Sequence, residues 1–158
     1  MSNLHSSRCI GVRQSVIPLR FAQSSVAASQ TSVDLAVSSV FDEAESAVDE
    51  NAVVGITVPF PAVIVGVSVD LSAAASAGTL SVAPTVNGTA AAAPTVNVTT
   101  ETTSKVATAT RWADTLLAAG DVVGCQVTTD GDWNGTTSDL VITLWVIMDL
   151  SEYGESLV

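Results

Sequence analysis

The sequence predicts an all-β chain, an antiparallel β-sandwich preceded by an extended N-terminal arm. Three observations lead there. Valine, threonine and isoleucine alternate with small or polar residues in short runs, the mark of a pleated strand with one face inward. Turn signals built on Gly, Pro and Asn-Gly separate these runs at spacings of roughly ten residues. Helical periodicity is almost absent, which favours two packed sheets over an α/β fold. A length of 158 residues suits one domain or one domain plus an arm.

The elements follow in order. Residues 1–32 are rich in Ser, Gln and Ala with little periodicity, and read as an arm shaped by contact with a neighbour. Within them, Arg13 to Phe21 suits one strand that Pro18 confines to an edge or an extended contact. Val33, Leu35 and Val37 alternate and open the sandwich domain, expected over residues 33–150. FDEAESAVDEN, from Phe41 to Asn51, holds five acids; Val40, Ala44 and Val48 recur every four residues, so a short helix and an acidic loop are both open. Strands are expected at Ala52–Val58, Ala62–Leu71, Thr79–Val86, Thr95–Thr100, Ser104–Thr110, Asp121–Thr129 and Leu140–Leu150. The PFP corner, SAAASAG, Asn87-Gly88, AAGD and DGDWNG separate them, and residues 151–158 form a tail.

The word APTVN occurs twice, at Ala83–Asn87 and Ala93–Asn97. Asn87-Gly88 follows the first copy, and an Asn-Gly pair favours positive φ and a chain reversal. The two copies are expected as matching arms of one hairpin. Pro84 and Pro94 lack ladder donors, which assigns both arms to an edge. The last strand, LVITLWVIMDL, differs from the rest. Leu140, Ile142, Leu144, Val146 and Met148 form one apolar face; Val141, Trp145 and Ile147 make the other largely apolar too. One face of a strand in a lone two-sheet sandwich is normally wet. An oligomer buried along this strand is therefore expected, with cover by the chain's own N-terminal arm as the alternative.

Charge excludes several function classes. The net charge is −11, so sequence-independent binding to nucleic acid and docking on anionic lipid are both disfavoured. The distribution is uneven. Arg8, Arg13 and Arg20 against Asp34 leave residues 1–40 at +2, while Lys105 and Arg111 against fifteen acids leave residues 41–158 at −13. A basic arm and an acidic body can attract one another between copies. Only 13% of residues are charged and mean hydropathy is +0.47, which suggests surface covered by a partner. Ala52 to Val69 is uncharged for eighteen residues, but Pro59 and Pro61 interrupt it and β-branched residues dominate, so it reads as two strands and no membrane span is expected. No continuous apolar segment marks a secretory signal in the first residues. Cys9 and Cys125 are too few for a disulfide framework, and Cys125 alternates with Val123 and Val127 as a small buried residue would.

No reaction is named by any motif. His5 is the sole histidine, so no histidine triad and no zinc pattern can be assembled. Nucleophile-elbow, P-loop and dinucleotide fingerprints are absent. No catalytic, cofactor or metal residue is therefore assigned. DGDWNG matches the first half of a calcium loop through Asp130, Asp132, Asn134 and Gly135, yet Val141 stands where the bidentate Glu belongs. A polar hairpin turn, with Trp133 over the sandwich end or facing a partner, is the simpler reading. The three Asn-x-Thr sequons read as accidents of a Thr-rich chain.

Two segments carry a resemblance: AVIVGVSVDLSAAASAGTLSVAPTVNG from Ala62, and TLLAAGDVVGCQVTTDGDWNGTTSDLVITLWV from Thr115. From about Pro61 to Leu150 the chain resembles the small β-sandwich, jelly-roll-type domains of structural proteins in tailed bacteriophage virions. The resemblance is one of pattern and composition and does not reach the first sixty residues. It implies a capsid decoration or cement subunit on the capsid surface, with a tail location second. It further implies a homo-oligomer, a trimer favoured, docked on the major capsid protein or another virion structural protein. Arg8, Arg13 and Arg20 in the arm, Trp145 and Ile147 on the covered strand, and Trp133 are the expected partner contacts. The alternative is a tail-fibre or spike module that binds a receptor or glycan through Trp133, Asp130, Asp132 and Trp112. With seven aromatic residues in the whole chain, that alternative has little stacking surface.

Overall fold

The computed structural model describes residues 14–37, 53–100, 102–109 and 115–149. Twelve strands are present among them: β1 Gln14–Gln23, β2 Val33–Asp34, β3 Ala36–Val37, β4 Ile56–Thr57, β5 Ala62–Leu71, β6 Leu80–Val86, β7 Thr89–Ala90, β8 Val96–Val98, β9 Ser104–Thr108, β10 Leu116–Leu117, β11 Val122–Thr129 and β12 Leu140–Asp149. No helix occurs among the described residues. The strands form two antiparallel sheets that enclose one apolar core, so the fold is all-β and sandwich-like.

Sheet A runs β10-β5-β12-β1-β3, with β9 following β10 along the same edge of β5. Sheet B runs β2-β11-β6-β7, with β4 also on β11 and β8 also on β6. Alternation along each strand decides what lies between the sheets. From sheet A, Leu19, Phe21, Ile64, Val67, Val69, Ile142, Leu144 and Val146 point inward; from sheet B, Leu80, Val82, Val123, Cys125 and Val127 meet them. Burying one such aliphatic side chain contributes roughly 1.5–3 kcal/mol. Burial pushes the Cys125 thiol far above its ordinary range, so it packs as an inert apolar residue.

One expectation about organisation is corrected. The sequence reads residues 1–32 as an arm, but Gln14–Gln23 pairs with β12 along its whole length. Ile17, Leu19 and Phe21 supply inward positions that a free arm would leave wet. Pro18 is tolerated because β3 reaches only Phe21 and Ala22, leaving the rest of that edge of β1 without a neighbour in the sheet. Residues 24–32 also belong to the body: Val26 is buried, and the Gln30 carbonyl accepts a hydrogen bond from the Thr129 amide. Only residues 1–13 remain for an arm, and they lie outside the described residues, as do the acidic segment 41–51 and the tail 151–158.

The alternating Val33, Leu35 and Val37 are extended as expected, but they follow β1 rather than open the body, and they do not form one strand. β2 joins β11 in sheet B and β3 joins β1 in sheet A. The buried Leu35 lies at the crossing, its amide donating to the Cys125 carbonyl. The reversal expected after the first APTVN is present, but the two copies do not face each other as matching arms: Thr85 and Val86 pair with β7, and Val96 and Asn97 pair with Val82 and Ser81. Asn87 (φ 51°) and Gly88 (φ 78°) make the reversal, Val86 pairs with Thr89, and the second copy returns as β8 beside β6. The edge assignment holds for the second copy only, because β6 lies between β11 and the returning strands. Pro84 escapes the usual penalty. Its carbonyl accepts from the Ala91 amide, so its nitrogen faces the same side, in the gap between β7 and β8.

The register between β5 and β12 shifts at Trp145/Val146, leaving Val65 as an extra residue on β5. This bulge inverts the phase of the preceding residues. Ile64 is therefore inward, while Val63 pairs with the outward Ile147. Replacing Leu144, fully buried at the centre of sheet A, tests the core. Leu144→Ala is expected to lower unfolding free energy by about 2–5 kcal/mol in denaturant titration, with a β-dominated circular dichroism spectrum retained.

Candidate interaction face

Residues that alternate with the core positions of sheet A make up its outer face. Four cross-strand rows describe it. Leu116, Val63, Ile147 and Val16 form one row, through the pairings of β10 with β5, β5 with β12 and β12 with β1. Thr108, Gly66, Trp145 and Pro18 form the next. Val106, Ser68, Thr143 and Arg20 follow, then Ser104, Asp70, Val141 and Ala22.

This face is apolar and open at several points. Leu116 is 67% exposed, Val106 64%, Val16 58% and Trp145 39%. Ile147 is half-buried, and Val63, Thr143 and Ala22 are buried among these neighbours. The Trp145 side chain lies beside Gly66: a Cβ there would stand 3.6 Å from indole Cδ1, an ordinary van der Waals contact. Within the four rows only Arg20 and Asp70 carry charge. Asp70 accepts a hydrogen bond from Ser104 Oγ at 2.7 Å. Lys105 is on the opposite parity and donates to the Asn97 carbonyl across the sandwich edge.

The sequence-predicted contact residues therefore separate into groups. Arg20, Trp145 and Ile147 share this face, although the sequence assigns Arg20 to an arm. Arg8 and Arg13 lie outside the described residues, as do Trp112 and the strand end at Leu150. Trp133 is corrected outright: it is 2% exposed and closes one end of the sandwich, so it presents no surface to a partner or sugar. Sequence reasoning does not single out Val16, Leu116 or Val106. Their pattern position is visible there, but which strands flank β12 is not.

The Trp133 cap is built by hydrogen bonds. Indole Nε1 donates to the Val26 carbonyl at 3.2 Å. Gly78 (φ 81°) passes so close that any Cβ would overlap the Trp133 backbone, and only glycine adopts that φ freely. Asn134 Oδ1 accepts from the amides of Ser76 and Ala77 at 2.9 and 3.0 Å, tying DGDWNG to SAAASAG. Asp130 Oδ2 accepts from Thr79 Oγ1 at 2.7 Å, and Oδ1 accepts from the Asp132 amide. These bonds, Thr79 first, hold the Asp130 carboxyl below its ordinary range. The Asp130 and Asn134 oxygens that a calcium loop would aim at an ion thus serve the turn itself. Among the described residues no group of three or more His, Cys, Asp or Glu is placed to hold a metal ion.

A second stitch joins the other sandwich end. Asn87 Nδ2 donates to Asp121 Oδ1 and Asn87 Oδ1 accepts from the Val122 amide, both at 2.9 Å. Asp121 Oδ2 accepts from the Ala118 amide, and this carboxyl too is held low, by Asn87 first. No helix among the described residues is long and apolar enough to cross a membrane.

No family model matches this chain, and no curated protein matches it either.

Two measurements check the cap. Trp133→Ala is expected to lower stability by about 3–5 kcal/mol, whereas Trp145→Ala changes unfolding in dilute solution by about 1 kcal/mol or less. A carboxyl whose folded pKa is depressed stabilises above its unfolded value, here 3.8, and that contribution fades as pH falls through the folded value. Asp130→Asn should therefore flatten the acid limb of a stability-against-pH curve below about pH 4, while Thr128→Ser leaves its slope unchanged.

Proposed function

We propose that this chain is a structural subunit of a virus particle, a capsid decoration or cement protein. It associates with copies of itself and docks on the major capsid protein or another virion structural protein. The observation that supports this reading is the outer face of sheet A. Four of the seven exposed large hydrophobics among the described residues, Val16, Trp145, Val106 and Leu116, lie on this one sheet face, and exposed apolar side chains gathered on one face mark an interaction surface. Charge patterning adds to it: Arg8 and Arg13, in residues 1–13, bring positive charge to a chain of net charge −11.

In this reading the sheet face joins copies and residues 1–13 reach the shell. Many such contacts act together, so each need only be weak. The resemblance to jelly-roll-type phage domains points the same way. The glycan-binding alternative loses its principal platform with Trp133 buried.

Mass spectrometry of particles purified from the source that encodes the chain is the direct test. The expected outcome is many copies per particle, stripped by mild denaturant before the shell dissociates. Purified particles that lack the chain overturn the reading.

A further inference from the structure

The outer face of sheet A can be assigned an occupant. We propose that a second copy of this chain covers it, related by a two-fold axis that runs along β12. This rests on the reading of the chain as a self-associating subunit and specifies how copies meet.

Charge placement selects the axis. Arg20 lies on β1 and Asp70 on β5, the two strands that flank β12, one row apart through Thr143 and Val141. Rotation about an axis along β12 lays β1 of one copy over β5 of the other. Each Arg20 then stands above the other copy's Ser68 row, one pair of residues from its Asp70, within reach of a long guanidinium side chain. Two Arg–Asp pairs form, with Ser68 and Thr143 beside them, and the remaining overlaid positions of the four rows are apolar or glycine. An in-plane axis across the strands would instead set β1 over β1 and leave both charges without a partner. The selected axis also brings Trp145 of each copy against the other at the centre, where an aromatic pair contributes beyond its area.

Strands β1, β12 and β5, which this axis overlays, are each ten residues long. Three strand positions at about 4.8 Å spacing and ten residues at about 3.3 Å give a face of roughly 480 Å². Two such faces bury roughly 950 Å², the size of a reversible contact, and Leu116 and Val106 on the outer strands β10 and β9 lie beyond it. Sheet faces pack about 10 Å apart with strands within about 30° of alignment, the arrangement this axis gives. The contact is isologous and closes on itself, so the unit it forms is a dimer rather than the trimer that the resemblance implies.

Charge reversal in the full chain tests this, read by light scattering and sedimentation. The native chain is expected to be a dimer. Arg20→Asp and Asp70→Arg should each weaken association by about tenfold or more, because like charges then face each other twice. Mixing the two variants should restore native affinity. In the mixed dimer the introduced acid of one copy faces the introduced base of the other, and the native Arg20 faces the native Asp70. Circular dichroism of each variant confirms that it is folded. A native chain that runs as a monomer or trimer overturns the proposal, as does mixing without recovery. Presence in particles is scored separately: a monomer found on shells ends this inference and leaves the coat reading standing, while a dimer absent from particles does the reverse.

Discussion

Strand β12 is the constraint around which the rest is arranged. It is paired along its length by β1 on one side and β5 on the other, so its backbone groups are satisfied within sheet A. Its inward side chains, Leu140 to Met148 on alternate positions, form the floor of the core. Its outward side chains are mostly apolar as well. A strand with both edges paired and one face in the core has only the other face free to act. Of the seven exposed large hydrophobics among the described residues, Val16, Val106, Leu116 and Trp145 lie on this face, while Val53, Val54 and Val122 lie elsewhere.

The ends of the sandwich obey a different physics. There the core is sealed by polar groups that satisfy one another. Trp133 fills the end while its indole N–H finds the Val26 carbonyl, and Asp130, Asn134, Thr79 and Ser76 lace two turns over it. Asn87 and Asp121 do the same for another pair of turns. Residues with the chemistry of a binding loop are thereby committed to holding backbone in place. Costs remain inside: Gln23 is buried with neither side-chain amide atom hydrogen-bonded among the described residues, and Gln30 Oε1 is buried without a partner there too.

The same division explains the functional reading. An outer sheet face that is largely apolar and nearly uncharged gives little purchase to a small ligand, which needs a concave site with converging polar groups. It suits another protein surface. The two charges that do occur, Arg20 and Asp70, lie on either side of β12 and specify orientation more than affinity.

The sequence by itself determined the pleated elements. Alternation placed Ala62–Leu71 to the residue and found β6, β11 and β12 within a residue at their starts, because side-chain period is a local property. Asn-Gly settled the reversal at residues 87–88 for the same reason, since positive φ is favoured by those two residues, but not which residues the second APTVN faces. It also marked Trp145 and Ile147 as facing something other than the core. Tertiary structure alone decided what flanks them. That Gln14–Gln23 would join β12 depends on a partner more than a hundred residues away, and nothing local in a Pro-containing, Ser-flanked segment announces it. The bulge at Val65 was equally silent, because a shift of phase among Val, Ile and Val leaves the pattern apolar on both faces. Whether Trp133 caps or contacts was settled by Val26 and Gly78 arriving from elsewhere in the chain, since burial is decided by what packs against a residue and not by the residue itself.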